Sequence, residues 1–224
     1  MKNQFRVCLA CGVLGALFLV GVEGGKAAAP PVKLPTATLD DTTTTSPGKS
    51  TIVLAGGCFW GVEEVFQHVK GVVDAVSGYS GGSSKTANYD LVSAGTSGHA
   101  ESVKITYDPA KITLGQIFTV FFSVAHDPTQ LNRQGPDVGP QYRSAIFYSN
   151  ERQEQIAKAY IRQLEAAHVY GKKIVTQVVP LSGFYNAEEE HQDFAAKNPF
   201  HRYIVFVDKP KVDDLRTEFP SLYK

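Results

Sequence analysis

A chain of 224 residues with 43% hydrophobic content can bury one good-sized hydrophobic core and still leave tails. Its 22 basic and 22 acidic side chains cancel, so no basic surface points to a nucleic acid partner, and we expect none. The six histidines and three cysteines show no metal-ligand spacing, so we expect no metal.

The N-terminal segment, residues 1–29, has the pattern of a secretory signal peptide. Lys2 and Arg6 form a basic start, an apolar stretch follows, and the alanines at 27–29 resemble a cleavage site. The apolar stretch is shorter than the ~20 residues that a membrane-spanning helix needs. We therefore predict an exported protein of the bacterial periplasm. The alternative is a protein tethered to the membrane by an uncleaved signal.

Residues 30–49 are rich in proline and threonine and lack aromatic side chains, which predicts a disordered linker. We find no internal repeat and no second linker, so residues 50–224 are predicted to form a single catalytic domain. Cys8 and Cys11 lie within the predicted signal. Cys58 is therefore the only thiol expected in the mature chain, which then has no internal disulfide.

Along the domain, strand-like and helix-like patterns alternate. β-Branched apolar runs and period-two alternation predict strands at 51–55, 72–79, 101–107, 143–149 and 174–179. Apolar residues on one helical face, with caps at Thr113, Asn150 and Asn186, predict helices at 61–70, 114–122, 151–168 and 187–197. The tail beyond Pro199 is predicted to be mostly irregular, with an extended stretch at 203–207. Two β-α-β units that share a partly antiparallel sheet satisfy this order, so the expected fold class is α+β, a two-layer sandwich with a mixed sheet.

The run GGCFWG at residues 56–61 lies where a predicted strand passes into a predicted helix. Cys58 is therefore expected at a helix N-terminus, where unpaired backbone N–H groups favour an anion and lower the pKa of a thiol. The flanking glycines suit a sharp turn and a close backbone approach. We interpret Cys58 as a nucleophile, and the alternative is a small buried hydrophobic residue.

Three residues near the thiol each have two interpretations. Phe59 and Trp60 are either core residues or an apolar cup that holds a methyl or thioether group by sulfur–aromatic attraction, and the spacing favours neither. Glu101 opens a predicted strand. It can act as a general acid only if it is buried with a raised pKa, and otherwise it is a surface carboxylate.

Three more polar residues lie in or beside polar loops, namely Tyr89, Asp137 and Tyr142. Two phenol hydroxyls that converge on one oxygen atom would stabilise negative charge developing there. Loop tyrosines are also common as hydrogen-bonding residues of the surface, and the sequence alone does not show that the two rings converge.

Six segments in matching order resemble the A-type peptide methionine sulfoxide reductases. They are GCFWG, GYSGG, NYDLV, SGHAESV, HDPTQLNRQGPDVGPQYRSAIFY and AEEEHQDF. The resemblance covers roughly residues 52–198, and six segments in the same order are far more specific than a single motif. It implies a ferredoxin-like α+β sandwich that reduces the S epimer of methionine sulfoxide, free or within proteins, without a metal or an organic cofactor.

The resemblance also implies catalytic roles, residue by residue. Cys58 would be the nucleophile, which becomes a sulfenic acid when it takes the sulfoxide oxygen. Glu101 would be the acid catalyst. Tyr89 and Tyr142 would bind the sulfoxide oxygen by hydrogen bonds as its charge grows.

The substrate-binding residues that the resemblance implies are Phe59 and Trp60, which would hold the terminal methyl group, and Asp137, which would support the site. Many relatives carry resolving cysteines in a C-terminal tail, and this tail has none. The sulfenic acid would therefore be reduced by an external thiol, such as a thioredoxin-like protein. Phe194 stands where many relatives have tyrosine, so a hydroxyl is lost there. We expect a monomer that repairs oxidised methionine in envelope proteins.

Two other enzyme classes and one binding function remain as alternatives. A cysteine-dependent acyl hydrolase would pair Cys58 with a histidine base, for which His99, His126 and His191 are the candidates. A thiol peroxidase would apply the same sulfenic acid chemistry to peroxide. A non-catalytic module would recognise methionine-rich surfaces and leave Cys58 unreactive.

Overall fold

The structure, a computed structural model, describes residues 33–41 and 48–224. The strands in these ranges are β1 (Ser50–Gly56), β2 (Val72–Ser80), β3 (Ala100–Tyr107), β4 (Arg133–Gln134), β5 (Asp137–Val138), β6 (Ser144–Tyr148), β7 (Gln177–Pro180) and β8 (Phe184–Asn186). One sheet has the order β7-β6-β1-β3-β2-β8, and β4 pairs with β5 in a separate hairpin. Within the sheet, β6 and β7 run parallel and the other neighbours run antiparallel. The predicted mixed, partly antiparallel sheet is confirmed.

The α-helices of the described chain are α1 (Phe59–Gln67), α2 (Tyr89–Ser93), α3 (Leu114–Val120), α4 (Glu151–Ala166), α5 (Phe194–Lys197) and α6 (Lys209–Glu218). Local sequence sets the start of α3. The Thr113 hydroxyl accepts a hydrogen bond from the Gln116 N–H, and the Gln116 side chain accepts one from the Thr113 N–H, which makes a capping box. The Asn150 side chain caps α4 as predicted, by accepting from the Gln153 N–H.

Alternation along β1 separates the two faces of the sheet. Ile52 and Leu54 are fully buried in the main core, together with apolar side chains of α1, α3 and α4. Val53 and Ala55 pack on the opposite face in a smaller cluster with Phe147. Helices on one face and a thin apolar layer on the other make a two-layer α+β sandwich, which is the predicted fold class.

One predicted helix is wrong. Residues 187–197 form a 3₁₀ turn at Glu189–His191 and the single-turn helix α5, and Asn186 belongs to β8 instead of capping a helix. The helical conformation is interrupted at Asp193, whose φ of 53° lies in the left-handed region. Buried Glu63 accepts a hydrogen bond from the Asp193 N–H at 3.0 Å. This tertiary contact satisfies a backbone donor outside any helix and overrides the local helix propensity.

The C-terminal tail is helical, so the predicted irregular tail with an extended stretch at 203–207 is also wrong. A π-helical turn spans Ile204–Asp208 and leads directly into α6, which packs against α1. A run of β-branched and aromatic residues favours a strand locally. The helical conformation buries Ile204 and Leu215, and this tertiary packing outweighs the intrinsic strand propensity.

Part of the predicted linker is ordered, because residues 33–41 lie against α3 and α4. Asp40 accepts a hydrogen bond from the Gly115 N–H at 2.7 Å, and its second carboxylate oxygen accepts from the Thr113 hydroxyl. The Tyr160 hydroxyl of α4 donates to the Pro35 carbonyl at 3.0 Å. The domain supplies partners for this polar segment, so the expectation of disorder does not hold for residues 33–41.

The predicted signal peptide, residues 1–29, lies outside the described residues, as do residues 30–32 and 42–47 of the predicted linker. In the ranges that the structure covers, none of the helices has the length and hydrophobicity required for a membrane crossing.

Asp40→Ala is expected to lower the free energy of unfolding by about 1–2 kcal/mol, because two donors at the start of α3 lose their acceptor. Urea unfolding of the full chain measures this loss. Asp41→Ala is the matched control, since its partly exposed ion pair with Arg152 is worth less than about 1 kcal/mol. Equal losses in the two variants would contradict the capping role of Asp40.

Candidate active site

Cys58 lies at the junction of β1 and α1, as the sequence predicts. Gly57 before it has a φ of 94°, and an added Cβ there would lie 2.5 Å from the side chain of Gln134, so the turn requires glycine. Cys58 is the N-cap residue of α1. Its side chain is 8% exposed and forms no disulfide. The thiol therefore lies at the start of a buried helix, just below the surface.

The predicted lowering of the Cys58 pKa is wrong. Burial raises the pKa of this thiol well above its usual range, and the charges of Glu101, Asp208 and Asp137 raise it further. Only the backbone N–H of Trp60 lowers it. Burial shifts a pKa by up to about 3–5 units, whereas a charge at a helix end gains about 2 kcal/mol at most, or roughly 1.5 units. Desolvation therefore exceeds the effect of the helix N-terminus, and the resting sulfur is a neutral thiol.

Glu101 lies beside this thiol at the start of β3. Its side chain is 2% exposed, its Oε2 accepts a hydrogen bond from the Phe59 N–H at 3.1 Å, and its carboxyl hydrogen-bonds the Cys58 thiol. Burial is the main cause that raises the pKa of Glu101 from 4.5 to about 8. Glu101 therefore keeps its proton at neutral pH, which is the condition that an acid catalyst must meet.

The two predicted tyrosines lie within range of the charges of the thiol and the carboxyl. Tyr89 starts α2, Tyr142 ends the 3₁₀ turn Pro140–Tyr142, and both rings are partly exposed. Burial raises the pKa of both phenols, and the charge of Glu101 raises it next, with a further contribution from Cys58. Such charge effects weaken with distance, so both phenols belong to the same region of the molecule as Cys58 and Glu101. Both phenols remain protonated and able to donate at neutral pH.

Asp137 also lies at this site, and its partner is a residue that sequence analysis missed. The Tyr203 hydroxyl donates a hydrogen bond to the Asp137 carboxylate. Burial raises the pKa of the Tyr203 phenol, and the charge of Cys58 raises it next. Asp137 thus ties the β4–β5 hairpin to the C-terminal tail, and Tyr203 adds a third phenol to the site.

The aromatic pair after the thiol divides between core and surface. Phe59 is 1% exposed and belongs to the main core. Trp60 is partly exposed, and the Phe194 ring stacks on it at a centroid distance of 3.8 Å and an angle of 10°. The Tyr203 ring meets Trp60 edge-on at 6.0 Å. Phe194 therefore has a packing role, which needs no hydroxyl group. Trp60 is the solvent-accessible member of the pair Phe59 and Trp60.

Of the three candidate histidines for an acyl hydrolase, two make polar contacts away from the thiol, and His191 packs on aromatic side chains of the site. His99 contacts the Ser83 carbonyl at 2.9 Å, and His126 contacts the Ser144 hydroxyl at 2.7 Å. His191 packs its ring 4.2 Å from that of Tyr89. The charged groups that act on the thiol are carboxyls. Across residues 33–41 and 48–224, no cluster of three or more His, Cys, Asp or Glu side chains is placed to hold a metal ion.

Sequence analysis missed Tyr203 and Asp208 because the apolar run between them resembles a strand. Two signals for a helical tail were present. Pro210 suits the first turn of a helix, where its missing N–H costs nothing. Val212 and Leu215 follow at a spacing of three, which places them on one helical face. A helix predicted at this position would place Asp208 at its start.

The fold and the site define an oxidoreductase whose buried thiol lies beside a neutral carboxylic acid. The family model described as peptide methionine sulfoxide reductase matches residues 50–222, nearly the whole domain. The chain therefore belongs to the peptide methionine sulfoxide reductase family, and as a member of it reduces methionine sulfoxide.

Individual relatives agree with this assignment. The chain is 58% identical over 178 residues to peptide methionine sulfoxide reductase MsrA 2 of Mesorhizobium japonicum, covering 80% of this chain and 91% of that protein. It is 48% identical over 190 residues to MsrA 2 of a Synechocystis species, covering 85% and 89%. Among solved structures, methionine sulfoxide reductase A of Corynebacterium diphtheriae matches with a TM-score of 0.59 and 34% identity, over 79% of this chain and 88% of that one. Reduced Mxr1 of Saccharomyces cerevisiae matches with a TM-score of 0.61 and 35% identity, over 68% and 87%.

Proposed function

We propose that this protein reduces the S epimer of methionine sulfoxide, free or within proteins, through a sulfenic acid on Cys58. The observation that carries the proposal is the buried hydrogen bond between the Cys58 thiol and the Glu101 carboxyl. Burial raises both pKa values, so both groups are neutral at pH 7. A sulfur nucleophile and a proton donor thus lie side by side. The choice of epimer rests on the resemblance to the A-type enzymes.

The reaction balances with these two residues alone. The Cys58 sulfur attacks the sulfoxide sulfur while the sulfoxide oxygen takes the Glu101 proton. The thiol proton passes to Glu101 across their hydrogen bond and restores the acid. The attack joins the two sulfur atoms; this bond and the S–O bond of the substrate then break as the hydroxyl passes to Cys58, where an S–OH bond forms. Methionine sulfoxide gains two electrons, and Cys58 loses two as it becomes a sulfenic acid.

The surrounding residues stabilise and orient the substrate. The protonated phenols of Tyr89 and Tyr142 donate hydrogen bonds to the sulfoxide oxygen as negative charge develops on it. The Trp60 ring, supported from the core by Phe59, contacts the methyl end of the substrate through sulfur–aromatic attraction. Asp137 fixes one side of the site by its hydrogen bond to the tail.

An external dithiol, such as a thioredoxin-like protein, reduces the sulfenic acid in this proposal. Cys58 is the only free cysteine among the described residues. A first donor thiol condenses with the sulfenic acid to give a mixed disulfide and water, and a second donor thiol then releases Cys58. We propose no metal or organic cofactor for either step. The proposed setting is the bacterial periplasm, as a monomer, with tethering by an uncleaved signal as the alternative.

Anaerobic single turnover with each sulfoxide epimer tests this function. We expect one methionine formed and one free thiol lost per chain, with the S epimer only and without a disulfide. Methionine formation without thiol loss, or equal turnover of the two epimers, would contradict the proposal. Peroxide consumption with the same thiol donor separates the reductase from a thiol peroxidase.

A further inference from the structure

Asp208 is a fully buried carboxylate at the junction of the π-helical turn and α6. It lies against the first turn of α1, because a Cβ added to Gly61 would come within 2.1 Å of its Oδ1 atom. Tyr203 and Asp208 are five residues apart, close to one turn of π-helix, so the turn directs both toward the same side. The unusual helical turn thus brings a second tail residue to the helix that begins after Cys58.

The hydrogen bonding of this carboxylate is incomplete. Its Oδ1 atom accepts from the Lys211 ammonium at 3.1 Å, and the lysine side chain is itself only 10% exposed. Its Oδ2 atom is buried and has no hydrogen-bond partner among the described residues. A buried carboxylate oxygen without a partner is costly and rare in native structures. The position of Asp208 therefore requires an explanation beyond packing.

We propose that Asp208 is a positioning residue that helps to keep the resting Cys58 thiol neutral, by opposing the positive potential of the α1 N-terminus. The inference rests on the proposed function, in which Cys58 is the reacting residue. It follows from where the charge is placed. The Asp208 carboxylate packs on the helix turn whose N–H groups would otherwise stabilise a thiolate.

A neutral resting thiol suits an enzyme that works among oxidants. The thiolate is the form that peroxide oxidises, and oxidation past the sulfenic acid is irreversible for most proteins. The described residues contain no second cysteine, so no side chain among them can protect the sulfenic acid by forming a disulfide with Cys58. A lower resting thiolate fraction limits this damage.

Other charged groups also face the thiol and must be distinguished from Asp208. Glu101 on β3 and Asp137 on β5 raise the pKa of Cys58 as well. Glu101 hydrogen-bonds the thiol directly, whereas Asp208 acts through its charge alone. Burial raises the pKa of Asp208 itself and the charge of Asp137 adds to this, whereas the Lys211 ammonium opposes both by its charge and its hydrogen bond. The Glu64 carboxyl of α1 also interacts with Asp208. Removal of the Asp208 charge therefore leaves the contact between thiol and acid in place.

Asp208→Asn tests the proposal, because it keeps the shape and removes the charge. The rate of Cys58 alkylation by iodoacetamide is measured against pH on the full chain, with Cys58→Ser as the blank. We expect the midpoint of the profile to move to lower pH, with about tenfold faster alkylation at neutral pH for each unit of that shift. Asp213→Asn is the matched control, since Asp213 lies on the same helix with a 44% exposed side chain, and its profile should not move.

In Asp208→Asn, Lys211 loses its ion-pair partner, which could disturb the fold, so a second variant is needed. Asp208→Asn combined with Lys211→Gln removes both charges and is expected to give the same shift, with thermal unfolding measured for both variants. An unchanged midpoint in both would overturn the proposal. Faster alkylation at every pH without a shifted midpoint would also overturn it, because it indicates a looser fold. The readout needs no methionine sulfoxide, so it is independent of whether the proposed reduction occurs.

Discussion

Cys58→Ser is expected to abolish methionine sulfoxide reduction and leave the fold intact. A serine hydroxyl lacks the polarisable sulfur that attacks the sulfoxide and accepts its oxygen. The substitution exchanges one atom, and a hydroxyl can make the same contact with Glu101, so we expect stability to change by no more than about 1 kcal/mol. Turnover with excess dithiol reductant measures the activity, and thermal unfolding measures the stability.

The same substitution at Cys11 is the matched control for this prediction. Cys11 lies in the predicted signal peptide, well before the domain that begins at residue 50. Cys11→Ser is therefore expected to retain full turnover. Appreciable turnover by Cys58→Ser would remove Cys58 from the reaction and leave only the fold and the family assignment.

Glu101→Gln is expected to lower the rate of the chemical step by about 10²–10⁴-fold at neutral pH, the usual contribution of a general acid. The Glu101 pKa in the folded protein is about 8, raised from 4.5, so the carboxyl is protonated below that pH and loses its proton above it. The unmodified enzyme should therefore lose rate about tenfold per pH unit above pH 8. The glutamine variant has no proton to lose there, so its residual rate should show no such fall. Single-turnover rates across this range measure both effects.

Glu63→Gln is the matched control, because Glu63 is the other glutamate that is 2% exposed and has a raised pKa, of about 7. Its carboxylate accepts hydrogen bonds from the backbone N–H groups of Ser77 and Asp193, and it is not among the main charges that raise the pKa of Cys58. The reduction rate of this variant should still fall above pH 8, even if the variant is less stable. A wild-type rate and profile in Glu101→Gln would remove Glu101 from the acid role.

Local sequence patterns predicted much of the fold, because they record local physics. The hydrogen bonds of the capping box at Thr113 and of the cap at Asn150 join residues three positions apart, so both caps can be recognised from the sequence alone. Prediction failed at Asp193 and in the tail, where a distant carboxylate and distant apolar packing override local propensity.

The candidate site divides in the same way. The turn that presents Cys58, the lone thiol of the domain and the residues of the six resembling segments are properties of the sequence itself. Tyr203 and Asp208 enter the site only because the tail folds back on α1. The charge state of the sulfur also depends on this arrangement. The helix start favours an anion, but burial and three carboxyls from separate elements oppose it, and desolvation is a property of the packed molecule that no segment carries alone.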